Sequence, residues 1–336
     1  MNDYKEGLKV QKFRLPAVFL AALLAAVVAA TTAFGGGRAA VPDKVVIAYQ
    51  PGMGYAPLIV MKAQRTLERR YPGLDVEWRV LPSGAAITNG VISGQIHVGA
   101  MGTGPFLLGY ARGVDWKLIA PLNEGDLWLM AKDPSIKTIG DLRGKRIAMP
   151  GPTSIQAVVL RKMAQVKLGD AKALDAGIVT MDHPDAMQAL IAGQIDAHLT
   201  SPPFQFQEKV RGAHVVARSY QYFGAHTFLG AVVTSKFYNE YTQFSQQLYR
   251  DVQAAIRLID TNPKRVAQIL QDDAGGMPSW RQFKQWIGNP AITYTTRPRG
   301  LMRTAAFMSR TGQLPGKMPA TWRDLVFPPV FSTRGS

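Results

Sequence analysis

The sequence predicts an α/β protein of two similar lobes, each a mostly parallel sheet flanked by helices, the two joined by a pair of hinge strands. Three observations carry that expectation. β-branched runs alternate with helical stretches across short turns rich in Gly and Pro. A helix–glycine–strand unit recurs 99 positions apart, as Val91-Ile92-Ser93-Gly94-Gln95-Ile96-His97 and Leu190-Ile191-Ala192-Gly193-Gln194-Ile195-Asp196. Two apolar strand patterns, Asp126 to Ala131 and Phe228 to Val233, stand where a chain would cross between lobes. At 336 residues the length agrees, since a domain takes about 150 residues.

Taken in order, residues 1–40 read as a leader. Lys5, Lys9, Lys12 and Arg14 precede the apolar run Leu15 to Ala30, and small residues follow it. That is the order of a secretory signal peptide, and 16 residues fall short of the roughly 20 that span a bilayer. Val28-Ala29-Ala30 and Thr31-Thr32-Ala33 are alternative cleavage sites, and an uncleaved anchor is the other reading of the segment. The first lobe is expected over 41–127. It opens with the strand Lys44 to Tyr49, stopped by Pro51, Gly52 and Gly54, and Pro57 then starts a helix. Val76 to Leu81 alternates like a strand, Ala85 to Ser93 reads as a helix closed by Gly94, and Ile96 to Ala100 as a third strand. The second lobe is expected over 128–228, with a short helix and basic turn at Ile139 to Arg146, a strand to Met149 and a helix from Ser154 to about Lys167. The chain then returns to the first lobe over 229–336. Leu248, Val252, Ile256 and Ile259 mark one face of a helix there, broken at Asn262-Pro263.

Composition and motif tests exclude most chemistry. With no cysteine, disulfides, thiol catalysis, Cys-ligated metal and a lipoprotein anchor are ruled out. Gly140 to Arg146 is one residue short of a phosphate loop and carries Arg146 where a hydroxyl must bind magnesium. Gly99, Gly102 and Gly104 lack the dinucleotide spacing, and no Gly-x-Ser-x-Gly elbow occurs. The five histidines are scattered; His97 and His198 fall near corresponding repeat positions, with a hydrogen-bonded structural role as the plainer reading. No metal, no cofactor and no enzyme activity are therefore expected. The net charge is +16, and removing the leader's five Lys/Arg and two Asp/Glu leaves +13. A nucleic-acid partner is not expected, because no basic stripe with interleaved aromatics appears; Arg297, Arg299, Arg303 and Arg310 read as solvated surface. Glu124 and Asp126 would suit an ammonium group or a solvated turn, the turn being preferred, and Asp182/Asp185 and Asp272/Asp273 read as turn and cap residues.

What recurs is a strand that ends in a small-residue loop just before a helix: Gln50 to Tyr55, Met101 to Gly104, Gly151 to Ser154 and Thr200 to Pro203. Helix N-termini present unpaired N–H donors and partial positive charge, which favours anions. Any single Ser or Thr there is first a helix cap, but four such loops at strand ends point to one ligand cleft. Aromatic candidates for its walls are Tyr55, Trp128, Phe204, Tyr222 and Phe223.

In these residues the chain resembles the periplasmic solute-binding proteins of the nitrate/sulfonate/taurine class of ABC importers, relatives of the thiamine-pyrimidine (THI5-like) proteins. The resemblance rests on Val45 to Tyr49 with the Pro57 helix, on Val91 to Gly99, on Asp141 to Ala148 and on Ala189 to Ala197. It implies a two-lobed type II periplasmic-binding-protein fold that closes on a small organic anion. A sulfonate-like solute comes first, with nitrate, taurine or a pyrimidine precursor as alternatives. It also implies an exported, monomeric, soluble periplasmic protein that delivers the solute to an ABC permease and its ATPase in the inner membrane. A THI5-like enzyme is the alternative from another class, disfavoured by the absent cysteine. The resemblance places the pocket at Gln50, Gly54, Tyr55, Thr103, Thr153, Ser154, Ser201 and Pro202, to which Trp128 and Phe223 are added as walls. Where the family often carries Trp after the second Asp-Ala, this chain has His198-Leu199-Thr200.

Overall fold

The strands run, in chain order, β1 Lys44–Tyr49, β2 Asp75–Val80, β3 Val98–Gly102, β4 Trp116–Gly125, β5 Trp128–Ala131, β6 Ile147–Met149, β7 Ile178–Thr180, β8 Ala197–Thr200, β9 His214–Arg218, β10 Thr227–Thr234 and β11 Ile292–Tyr294. The computed structural model describes residues 40–336, and the leader expected over 1–40 lies, but for Ala40, outside the described residues. One sheet has the order β11-β4-β10-β3-β1-β2 and the other β7-β6-β8-β5-β9. No helix among the described residues is long and apolar enough to cross a membrane.

The two sheets are built on the same plan. In the first, β1 lies parallel to β2 and β3, and β10 enters antiparallel between β3 and β4. In the second, β6 lies parallel to β7 and β8, and β5 enters antiparallel between β8 and β9. The sequence repeat falls at matching points, where helices Gly84–Ile92 and His183–Ile191 feed β3 and β8. Gly94 and Gly193 take φ of 75° and 73° after them, the left-handed conformation that closes a helix without a Cβ penalty. His97 accepts a hydrogen bond at Nδ1 from Val46 N, much as Asp196 accepts one from Arg146 N in the other half. The histidine at that position is a structural acceptor.

The inserted strands are the first elements after each crossing. The outward crossing is the dipeptide Asp126-Leu127 between β4 and β5, so the crossing strand expected over Asp126 to Ala131 is this connector followed by β5, and the one expected over Phe228 to Val233 lies wholly within β10 of the first sheet. The return occupies 219–226, and the two crossings hold each other. Leu127 N donates to Ser219 Oγ at 2.9 Å, and Ser219 N to Leu127 O at 2.8 Å. Asp126 is buried, contrary to the solvated turn expected for it. Its carboxylate accepts from Tyr220 N at 2.9 Å, Ser219 Oγ at 3.2 Å and Trp128 Nε1 at 3.1 Å. Burial raises its pKa, and those three donors act against the rise.

Glu124 is buried too. Arg297 and Arg299 reach its carboxylate at 3.4 and 3.1 Å, so these two arginines of the expected solvated stretch carry an ion pair instead. The expected helix face Leu248, Val252, Ile256 and Ile259 is buried within helix Thr242–Thr261, which packs over β4 and helix Ala56–Ala63. Asn262 caps the next helix, Pro263–Asp273, by accepting from Arg265 N. Asp273 is not a free cap residue, since it meets Lys62 at 2.9 Å.

Asp126→Ala is expected to lower stability by about 3 kcal/mol in urea unfolding, because it strands three buried donors at the crossing.

Candidate functional site

Parallel strands end on the same side of a sheet, so the loops after β1, β3, β6, β7 and β8 gather where the two sheets face each other. They enclose a cavity of about 150 Å³. Its walls include Gln50 to Gly52, Gly54 and Tyr55 after β1, Gly102 and Pro105 after β3, Pro150 to Gln156 after β6, Thr180 and His183 at β7, and Ser201 and Pro202 after β8. Ser83, Gly84 and Ala85 complete one side, with Phe228 and Leu229 of β10.

Helix starts dominate this wall. Gly54 and Tyr55 precede helix Ala56–Ala63, Ser83 to Ala85 open Gly84–Ile92, and Gly102 and Pro105 open Thr103–Ala111. Ser154 to Gln156 open Ile155–Leu168, and His183 opens His183–Ile191. Among the described residues, the lining contains no Asp, Glu, Lys or Arg. Its polarity therefore comes from helix N-termini and neutral side chains, an arrangement that attracts an anion without supplying a countercharge.

The sequence candidates separate in this geometry. Gln50, Gly54, Tyr55, Thr153, Ser154, Ser201 and Pro202 all line the cavity. Gln50 Nε2 donates to the Tyr55 hydroxyl at 2.6 Å, and burial pushes that phenol's pKa up. Ser154 is occupied as a cap: Oγ accepts from Ala157 N and donates to Gly151 O at 2.7 Å. Ser83 accepts from Ala86 N in the same way. Three candidates lie elsewhere. Thr103 is buried and donates from Oγ1 to Thr227 O at 3.1 Å, tying a helix start to β10. Trp128 sits at the crossing, edge-on to Phe206 with the Arg218 guanidinium 4.6 Å from its ring centre. Phe223 packs against Phe307 beside the return crossing.

Several wall residues were not among the sequence candidates: Ser83, Gln156, Thr180 and His183. A signal for part of this wall was present. Pro51-Gly52 and Pro150-Gly151 stand 99 positions apart, the spacing of the longer repeat, each just after a strand. Gly52 and Gly151 take φ of 138° and 143°, which a side chain would oppose, so the backbone can turn sharply into the cavity wall. Gly104 serves a different need. A Cβ there would stand 2.8 Å from Ile155 N and 3.0 Å from Ser154 C, so only glycine lets this helix start meet the one from the other sheet.

Pro51 and Gly52 also border a second chamber of about 610 Å³. Phe204, Met187, Leu270, Phe283 and Trp286 give it apolar walls, and the exposed side chains of Val80, Val210 and Met277 lie around it. No group of three or more His, Asp or Glu among the described residues is arranged to hold a metal ion.

Comparison with known proteins agrees with this architecture. Over 174 residues the chain is 27% identical to a protein of Escherichia coli (strain K12) named as an aliphatic sulfonates-binding protein, covering 51% of this chain and 53% of the relative. It is 29% identical over 169 residues to the taurine-binding periplasmic protein of the same organism, covering 49% and 50%. The chain thus spans about half the length of the curated relatives it matches. Among solved structures, the alkanesulfonate-binding protein from Xanthomonas axonopodis pv. citri bound to MOPS superposes with a TM-score of 0.71 at 21% identity, covering 86% of this chain and 99% of that one. The periplasmic nitrate-binding protein from Synechocystis PCC 6803 gives 0.66 at 13% identity, covering 86% and 85%. These establish the type II periplasmic-binding-protein fold for residues arranged as described above. A sequence profile described as NMT1/THI5 like matches residues 70–265, and the chain belongs to that family.

Proposed function

We propose that this protein is the periplasmic solute-binding component of an ABC importer and that it captures a small organic anion, sulfonate-like by preference, between its two sheets. The observation that carries this reading is the cavity wall: five helix starts from both sheets and no charged side chain. Such a site stabilises an anion through backbone N–H groups and hydroxyls, each charge-assisted bond contributing about 1.5–3 kcal/mol. A micromolar solute needs about −8 kcal/mol in all, within reach of a few such bonds after ordering costs. An anion touching both sheets binds the approached arrangement better than an open one, and that difference drives closure about the paired crossings. The named relatives bind aliphatic sulfonates and taurine, which supports the sulfonate preference. The neighbouring chamber, which shares Pro51 and Gly52 with the cavity and has both apolar walls and the polar groups of Lys62, Arg211 and Asp273, supports it as well, because it would give an organic substituent somewhere to lie, whereas nitrate has no such part.

A thermal-shift screen of the described residues against nitrate, taurine and alkanesulfonates of rising chain length tests this. A true solute at 100 times its Kd adds about 2.7 kcal/mol of stability. Stabilisation by alkanesulfonates above nitrate is expected, and none by any of these anions sinks the proposal.

Thr153→Ala is expected to weaken sulfonate binding about tenfold in calorimetry with little change in melting temperature, since Thr153 lines the cavity outside the capping bonds. Ser154→Ala should lower stability as well, by about 1 kcal/mol, through the lost cap.

Gly104→Val is expected to leave folding intact and to weaken binding at least tenfold, because the added side chain holds the two helix starts apart. Wild-type affinity in that variant would mean that the close approach is not part of the bound state.

A further inference from the structure

Behind the cavity wall runs a continuous chain of hydrogen-bonded side chains that the solute reading alone does not use. Gln156 and His183 line the cavity, with Gln156 Nε2 3.0 Å from His183 Nε2. His183 Nδ1 lies 2.8 Å from His198 Nε2, and His198 Nδ1 lies 2.6 Å from Glu208 Oε1. His198 and Glu208 are fully buried, and His183 is stacked against Phe204. The relay thus begins at a cavity-wall amide and ends on a carboxyl group sealed inside the second lobe.

Each of its three links needs one hydrogen, and counting them fixes what the cavity sees. With a carboxylate at Glu208 and two neutral imidazoles, His198 Nδ1–H donates to Glu208 and His183 Nδ1–H donates to His198. Gln156 must then donate to His183 Nε2, which leaves its carbonyl oxygen for the cavity. One added proton reverses every link. Glu208 O–H donates to His198 Nδ1, His198 Nε2–H to His183 Nδ1, and His183 Nε2–H to the Gln156 oxygen, so that the Gln156 N–H donors turn to the cavity. The proton enters from solvent and stays on the relay; no bond other than the hydrogen bonds changes. The structure places the amide in the first orientation, with Nε2 toward His183; the two orientations are nearly isosteric, so the turn that the protonated relay requires needs little space.

We propose that Gln156 is a specificity-determining residue of the solute cavity and that His183, His198 and Glu208 are positioning residues which, holding one proton, turn its N–H donors toward an anion. The proposal rests on the reading of the cavity as a solute site. Glu208 Oε2 is buried without a hydrogen-bond partner, an arrangement that suits a neutral acid better than a carboxylate. Burial pushes the Glu208 carboxyl well above its ordinary range and His198 down to about 3, so the proton belongs on the acid. The titratable and charged groups on packed elements are these. Helix His183–Ile191 presents His183 and exposed Asp185, β8 His198, and β9 His214, bonded to Ile136 O, and exposed Arg218. Helix Ile155–Leu168, packed on β8, carries Arg161, paired with Asp175, and Lys162 and Lys167. Lys209 and Arg211 lie on helix Phe204–Val210 or at its end, and Arg211 opposes the rise at Glu208. An anion in the cavity favours the protonated relay twice over, by accepting from Gln156 and by avoiding a second negative charge. Above the relay's pKa in the free protein, solute binding therefore takes up a proton, and affinity falls as pH rises through that pKa.

Two measurements test this. In the solute-free protein, 15N NMR of the two imidazoles, assigned with single-site variants, is expected to show the Nε2–H tautomer at both His183 and His198 at neutral pH. Nδ1–H tautomers would overturn the proposal whatever the solute proves to be. With ethanesulfonate as the probe, calorimetry is expected to show affinity about tenfold weaker at about pH 9 than at about pH 6. Glu208→Gln, whose amide N–H donates to His198 as the acid does, should flatten that profile, and Gln156→Glu should cost at least tenfold at both pH values. A pH profile shared by wild type and Glu208→Gln overturns the proposal. Failure of ethanesulfonate to bind at all counts against the solute reading and leaves the tautomer result to decide the relay.

Discussion

The arrangement depends on one constraint: the first N–H groups of a helix have no partner inside it and must find an acceptor elsewhere. In most proteins side-chain caps and water meet that need singly. Here five helix starts border one cavity with no charged residue among the described residues of its lining, so the donors left over after the caps at Ser83, Ser154 and Asp182 become a shared property of the site. Parallel strand order is what brings them together, because it sends every helix-opening loop to the same edge of its sheet. Two sheets of one plan, facing each other at that edge, double the effect.

The rest of the fold holds those edges in register, and the proposed closure would turn on the connection between the two sheets. The connection between the sheets is narrow, a dipeptide and a short return segment, and it is knit by buried polar groups centred on Asp126. A buried carboxylate accepting three directed hydrogen bonds fixes the geometry of the crossing more sharply than apolar packing would, because each donor has an angular preference. Glycine does the complementary work at the cavity, where Gly104 lets two helix starts approach to within van der Waals contact. The basic excess of the chain plays no direct part in the lining. The attraction that the proposed site would exert on an anion is local, and the surplus charge sits outside its lining, in part neutralised as at Arg299 with Glu124.

The wall facing the second sheet is the less ordinary half. A run of two histidines and a glutamate behind Gln156 places titratable groups in hydrogen-bonded succession from the cavity wall at His183 to the fully buried His198 and Glu208. Desolvation holds each in its uncharged form, and a neutral chain of this kind still has a direction. That direction decides whether the cavity meets a donor or an acceptor, a choice the backbone N–H groups elsewhere in the wall do not have.

Much of this was legible in the sequence, and the reason is local. Strand and helix periodicity, Gly and Pro at turns, and a repeated helix–Gly–strand unit act over a few residues, so they gave the α/β class, the two matching halves and the loops at Gln50, Tyr55, Thr153 and Ser201. What sequence reading missed depends on contacts between residues far apart in the chain. Trp128 and Phe223 looked like cavity walls, yet they pack at the crossings; Glu124 and Asp126 looked solvated, yet long-range partners bury them. His183 and His198, unremarked or taken singly, acquire meaning only when the folding of β8 against two helices sets them 2.8 Å apart. Secondary structure follows from neighbours in the chain, whereas the polarity of this site follows from neighbours in space.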